Sequence, residues 1–103
     1  MTALAPHLAA FLRDHLPRER NVSPHTVTTY ANCFALLVRF AADRLKRRPT
    51  DLAIEDFDPE LIMAFLDHAE DARKNSPRTR NARLAAIRAF FRYTEYRVPA
   101  CLD

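Results

Sequence analysis

The sequence predicts an all-α protein, a compact bundle of four helices. Three observations predict it. Apolar residues recur at three- and four-residue spacing in four separate stretches, and no stretch alternates at period two for long enough to make a strand. Ser23-Pro24, Asp58-Pro59 and Ser76-Pro77 each put a capping side chain directly before a proline, which is how helix starts are written. At 103 residues and 49% hydrophobic content, the chain has material for one core and not two.

The elements follow in order. A first helix is expected over residues 3–16, with Leu4, Leu8, Phe11 and Leu12 on its apolar stripe. A second is expected over 24–47, capped by Ser23 and burying Val27, Tyr30, Cys33, Phe34, Leu37, Phe40 and Ala41. Residues 49–57 read as a connector with one short turn. A third helix is expected over 59–73, with Glu60 in the first turn, where the helix dipole favours an acid. Its stripe is Leu61, Ile62, Phe65, Leu66 and Ala69. The fourth, over 77–96, turns Leu84, Ile87, Phe91 and Thr94 inward, with Phe90 at the edge. No internal repeat or low-complexity segment interrupts the pattern.

Charge is sorted along the chain. Residues 51–72 hold eight acids and no Lys or Arg, whereas residues 73–97 hold eight bases and one acid. Residues 1–50 hold eight bases and three acids, so the modest net charge of +3 hides a polarised one. Such polarisation suits a polyanionic partner. Fourteen of the sixteen bases are Arg, whose fork meets phosphate oxygens bidentately. GC-rich coding produces the same bias.

Composition also excludes. Without a single Gly, phosphate-cradling Gly loops and dinucleotide fingerprints are ruled out. No apolar run is long enough to span a membrane. The N-terminus lacks the early basic region of a signal peptide, and Arg13 and Asp14 break its apolar stretch. Cys33 and Cys101 do not make a disulfide framework, and the expected location is cytoplasmic. His7, His15, His25 and His68 lack metal-ligand spacing, so neither a metal nor another cofactor is expected. The carboxylates of 51–72 read as a solvated face and not as an acid–base pair. Tyr30 lies on a core stripe, and Tyr93 and Tyr96 have no evident activating partner.

The faces opposite the stripes carry the functional signal. The second helix presents Thr28, Asn32, Ala35, Arg39, Ala42 and Lys46. The fourth presents Arg78, Asn81, Ala82, Ala85, Arg88, Ala89 and Arg92. Alanines between long polar side chains let a helix approach another surface, where Arg and Lys reach phosphates and Asn reads an adenine edge. The third helix presents Glu60, Asp67, Glu70 and Asp71, which phosphates repel. The amides at the Ser23 and Ser76 helix starts are further candidate phosphate donors.

These residues together resemble the N-terminal core-binding domain of tyrosine recombinases, the phage integrase and Xer type. The match consists of Ser23-Pro24-His25-Thr26 followed by Tyr30, Phe34 and Phe40, and then Ser76-Pro77-Arg78-Thr79-Arg80-Asn81 running through Arg83-Leu84 and Ile87-Arg88-Ala89-Phe90-Phe91-Arg92-Tyr93. The resemblance covers most of the chain. It implies a SAM-like bundle that clamps one face of double-stranded DNA, with helices two and four across the major groove. Carried over by position, the contacts are Thr26, Thr28 and Thr29 in helix two, and Arg78, Thr79 and Ala82 in helix four, with Asn81 and Arg83 as neighbours. Ala82 departs from relatives that place a longer polar residue there, and Thr28 is uncharged where relatives can carry Lys.

The family's chemistry needs two Arg, a Lys, a His-x-x-Arg box and a Tyr nucleophile in a C-terminal catalytic domain. His15-Leu16-Pro17-Arg18 matches the box by chance, because it precedes the DNA-facing helices. The expected organisation is a DNA-binding domain over 1–97 and the start of an interdomain linker over 98–103. The expected function is binding and positioning of duplex DNA for site-specific recombination, with no catalysis by this segment. The expected DNA contacts are Thr26, Thr28, Thr29, Asn32, Arg39, Lys46, Arg78, Thr79, Asn81, Ala82, Arg88 and Arg92. The resemblance further implies partnership with a catalytic domain in the parent protein and a tetramer on DNA, to which helix one would contribute protomer contacts. The alternative is a helical protein-interaction module whose basic face meets an acidic partner.

Overall fold

The computed structural model describes residues 2–73 and 76–97; residues 98–103, the expected linker, lie outside the described residues. Helix α1 spans Leu4–Ala10 and continues without a break as a π-helix over Phe11–Glu19. Helix α2 spans Pro24–Leu45, α3 Pro59–Arg73 and α4 Pro77–Arg97. Two 3₁₀ turns, Pro49–Asp51 and Ile54–Asp56, join α2 to α3. The all-α, four-helix SAM-like bundle expected from the sequence is the fold observed. Among the described residues, no helix is long and apolar enough to cross a membrane.

The helix starts follow the sequence closely. The Ser23 hydroxyl accepts from the Thr26 N–H (3.3 Å), the Asp58 carboxylate from the Leu61 N–H (2.8 Å) and the Ser76 hydroxyl from the Thr79 N–H (3.3 Å). Each bond satisfies one of the amides that a helix N-terminus leaves without an intrahelical partner.

The ends depart from it. The first helix was expected to stop at Leu16 but runs to Glu19. Pro17 has no N–H, and in a regular α-helix its ring collides with the carbonyl four residues back. The backbone there adopts wider i→i−5 pairing, as in the Arg20 N–H to His15 carbonyl bond (2.9 Å). Helix α2 was expected to reach residue 47. It stops at Leu45 because Lys46 turns into the left-handed region (φ 54°). That is where helices most often carry Gly, and this chain has none.

The core is built around aromatic rings. Phe11, 1% exposed, sits where the first helix meets α2 and α4. Its ring lies 6.2 Å from Phe34, 5.3 Å from Phe90 and 5.3 Å from Tyr93, and Phe34 and Phe90 are 5.5 Å apart. Such edge-on and tilted pairs add to the free energy of burial itself. The stripe of α4 is centred differently from the expectation. Phe90, expected at the edge, is fully buried together with Ala86, whereas Leu84 and Phe91 are only partly buried. Helix α4 packs against α2 on one flank and α3 on the other, so its buried arc is wider than one partner would require. Ala42, expected on the outer face of α2, is buried for a similar reason.

The connector is more than a spacer. Leu52, Ala53, Ile54 and Phe57 are all buried. The Leu4 N–H donates to the Leu52 carbonyl (3.0 Å) and the Ile54 N–H to the Thr2 carbonyl (2.8 Å), around one antiparallel bridge between Ala3 and Ala53. Thr2 also donates through its N–H and its hydroxyl to Glu55, at 2.9 and 2.8 Å. The chain start is thereby fastened to the middle of the sequence.

Two outcomes are expected from this packing. Phe11→Ala removes the ring shared by three elements and should destabilise the domain by about 3–5 kcal/mol in denaturant melts. Burial pushes the Cys33 thiol up to about 11. A thiol whose folded pKa lies above its unfolded value, about 8.5, keeps its contribution below that pH. It loses the contribution as pH rises through about 11. Melting temperatures over that window should fall more steeply for the wild type than for Cys33→Ala.

Candidate nucleic-acid interface

Helices α2 and α4 cross where their side chains are small. The Cys33 thiol donates to the Arg83 carbonyl (3.9 Å), and Ala82 and Ala86 lie alongside. A cleft of about 200 Å³ runs along the crossing, lined by Thr29, Asn32 and Leu36 from α2 and by Thr79, Ala82 and Arg83 from α4. Four residues nominated from the sequence, Thr29, Asn32, Thr79 and Ala82, therefore share one cleft. Arg83, placed near the apolar edge by the wheel, is half-buried there.

The other nominated residues are more widely spread. Thr26 and Thr28 occupy the first turns of α2, and Arg78 and Asn81 the first turns of α4, where Thr28, Arg78 and Asn81 are exposed. Arg39 lines a different cleft, of about 710 Å³ between α2 and α3, with Phe40, Asp43, Arg44 and His68. Lys46 lies 17 residues beyond Thr29, or about 25 Å along α2 at the helical rise. Arg88 and Arg92 continue the exposed face of α4, and Arg92 lines a third cavity with Arg20 and Arg97. The nominated set is thus one compact cleft with cations distributed around it.

Hydroxyl geometry distinguishes the threonines. The Ser23 hydroxyl donates to Thr26 Oγ1 (3.0 Å), so the Thr26 O–H keeps its proton for an outside acceptor. Thr29 donates its proton to the His25 carbonyl (3.0 Å), which leaves its oxygen as an acceptor. At each helix start the proline has no N–H and the capping serine takes another. Among the described residues, the His25 and Arg78 amides remain without partners in those turns.

The pairing of charges separates the arginines most clearly. Arg80 Nη1 bridges Asp67 (2.7 Å) and Glu70 (2.8 Å) of α3. Arg47 binds Asp56 (2.9 Å), Arg48 binds Asp51 (2.9 Å) and Arg97 binds Glu19 (2.6 Å). Among the described residues, Arg39, Lys46, Arg78, Arg88 and Arg92 have no carboxylate partner. All five were nominated from the sequence; Arg13, Arg20 and Arg44, which were not, have no carboxylate partner either among the described residues. Part of the acidic face of α3 is occupied in holding Arg80, which ties α3 to α4 and leaves the opposite side of α4 uncompensated. An arrangement of unpaired guanidinium groups beside Thr and Asn side chains offers hydrogen-bond donors to phosphate oxygens, and an amide to a base edge.

Reactive groups found along the sequence have structural roles here. His15 Nδ1 lies 3.0 Å from Glu19, the His15 ring lies 4.6 Å from Tyr93, and Arg18 pairs with Asp14 (3.8 Å). The His15-x-x-Arg18 match therefore serves the first helix. Among the described residues, no group of three or more His, Cys, Asp or Glu side chains is placed to hold a metal ion.

Comparison with known proteins agrees with this architecture. Residues 8–97 match the family model described as the phage integrase N-terminal SAM-like domain. Two proteins of Sinorhizobium fredii named as integrase/recombinases are 45% and 43% identical over 97 residues, covering 94% of this chain and 34% and 29% of their own length. The tyrosine recombinase XerC of Myxococcus xanthus is 35% identical over 96 residues, 90% of this chain and 28% of its own. No solved structure matches. The chain spans about a third of the length of these relatives, and it belongs to the family of phage integrase N-terminal SAM-like domains, the amino-terminal part of integrases and tyrosine recombinases.

Proposed function

We propose that this domain binds duplex DNA through the α2–α4 face and positions it for cleavage and rejoining by a tyrosine recombinase catalytic domain. The observation that carries the reading is the sorting of the arginines. Arg47, Arg48 and Arg80 are neutralised by carboxylates of the connector and α3, whereas Arg78, Arg88 and Arg92 on the exposed face of α4 are not, nor is Arg39 of α2. Burying an unpaired cation against a protein is costly, whereas setting it against a phosphate releases condensed counterions and is favourable.

In this reading Arg78, Arg88, Arg92, Arg39 and Lys46 meet backbone phosphates and set the register. Thr26, Thr28, Thr29 and Thr79 add hydroxyl contacts at the two helix starts. Asn32 and Asn81, with Ala82 between the helices, face the base edges. Residues 1–97 form the binding domain and 98–103 open the linker to the catalytic domain. The domain itself performs no chemistry, the parent assembles as a tetramer on DNA, and the protein acts in the cytoplasm. Sequence relatedness to integrase/recombinases over nearly the whole chain supports this reading.

The test is fluorescence anisotropy of a labelled duplex of roughly 30 base pairs, titrated at several salt concentrations. Arg78→Ala combined with Arg92→Ala should weaken binding and reduce the magnitude of the salt slope by about 1.8, the share of two phosphates. The melting temperature should stay within roughly 5 °C, since the expected stability change at each exposed, unpaired site is within ~0.5 kcal/mol. Unchanged affinity, or tight binding to an acidic protein with none to DNA, would contradict the reading.

A further inference from the structure

The cavity that holds Arg92 has a composition that the α2–α4 faces do not account for. It measures about 340 Å³ and is lined by Arg20, Arg92, Arg97 and His15, with aromatic walls that include Tyr93 and Tyr96. The groups come from three elements: the end of the π-helix and its following residue, α2 through Tyr30, and the last turns of α4. Arg20 belongs to no regular element, so a helical wheel does not place it.

Charge in this cavity is unbalanced. Glu19 receives both His15 (3.0 Å) and Arg97 (2.6 Å), and the Arg97 guanidinium also lies 5.6 Å above the Tyr93 ring. The His15 hydrogen bond, and then Arg97, hold the Glu19 carboxyl below the usual carboxylate range. Both contacts fall on Glu19 Oε1, and neither Arg20 nor Arg92 is among the partners of this carboxylate. Among the described residues, Arg20 and Arg92 have no partner of opposite charge. Two unpaired guanidinium groups from distant parts of the chain thus open onto one concave site. The aromatic walls lower the local dielectric and strengthen the field there.

The site is continuous with the cleft described above. On α4 the cleft is lined at residues 79, 82, 83 and 86 and the cavity at 89, 92, 93, 96 and 97, positions that follow one another along a single helical stripe. Tyr30 of α2 lies between them and lines both. Arg92 is fourteen residues from Arg78, about 21 Å along the helix axis, a span of roughly six base pairs of duplex.

The geometry points to a separate phosphate-binding subsite at the C-terminal end of α4, in which Arg20 and Arg92 grip one phosphate group while Glu19 holds Arg97 and His15 behind them. The phosphate has two possible sources, a backbone phosphate of the duplex bound along α2 and α4 or a free phosphorylated ligand. Only the first rests on the DNA reading.

The experiment uses the full 103-residue chain as wild type, Arg20→Gln, Arg78→Ala and Arg13→Gln. Arg13 is an exposed base on the first helix, lining a cavity on the far side of that helix. Duplex binding is measured against salt, and heat stability is measured with and without pyrophosphate. The expected result is that Arg20→Gln reduces the salt slope by about 0.9, the share of one phosphate, while Arg13→Gln leaves it unchanged. If the slope is unchanged but pyrophosphate stabilises the wild type and not Arg20→Gln, the subsite takes its phosphate from a free ligand. An unchanged slope with no pyrophosphate-dependent stabilisation overturns the subsite, as does an equal loss of slope in Arg13→Gln. Failure of the subsite alone leaves the Arg78→Ala effect intact. Failure of the DNA reading removes duplex binding from the wild type, and the pyrophosphate arm then decides.

Discussion

The packing of Phe11 against Phe34, Phe90 and Tyr93 is the interaction on which the remaining geometry depends. Three chain segments far apart in sequence meet at that ring, and it fixes how α2 and α4 cross. The crossing in turn sets the cleft between Asn32 and Ala82 and the separation of the two helix starts. A ring is suited to this because it makes many close contacts at once and adopts few rotamers. The small residues Cys33, Ala82 and Ala86 allow the close approach that the rings then hold.

The second organising constraint is electrostatic. The acidic stretch of residues 51–72 has a structural use as well as a repulsive one. Asp56 holds Arg47 and also accepts from the Ala53 N–H (2.8 Å), and Asp67 with Glu70 holds Arg80. Exposed ion pairs of this kind contribute little stability each. Their larger effect is to settle which arginines remain available. After these pairs form, Arg78, Arg88 and Arg92 remain unneutralised along the exposed face of α4, while Arg39 and Arg44 remain so beside the α2–α3 cleft.

Much of this was legible in the sequence because it is local. A Ser-Pro or Asp-Pro pair states its helix start within four residues, and all three caps form as written. Apolar stripes report a helix's inward face directly, and those of α2 and α3 hold. What was not legible depends on distant partners. The burial of Leu52, Ala53, Ile54 and Phe57 follows from pairing with the chain start. The π-helical extension past Leu16 combines a proline with a ring cluster assembled by α2 and α4. Phe90 lies at the centre of its stripe because α4 has neighbours on two sides. In the candidate interface, the sequence nominates Arg78 and leaves Arg80 out but names no partner for Arg80. Only the fold brings Asp67 and Glu70 to Arg80 and leaves Arg78 without a partner. Arg20 was invisible to periodicity because it follows the last helical residue of its segment.

The central claim is that the face made by α2 and α4, and not that of α3, meets duplex DNA. Nitrogen-15 correlation spectra of the labelled domain, recorded during titration with a duplex at low salt, test it most directly. The account predicts that perturbed amides concentrate in residues 24–39 and 78–92, with the outer face of α3 around Asp67 and Asp71 unaffected. Perturbations centred on α3 or on the first helix, with the α2–α4 face silent, would contradict it.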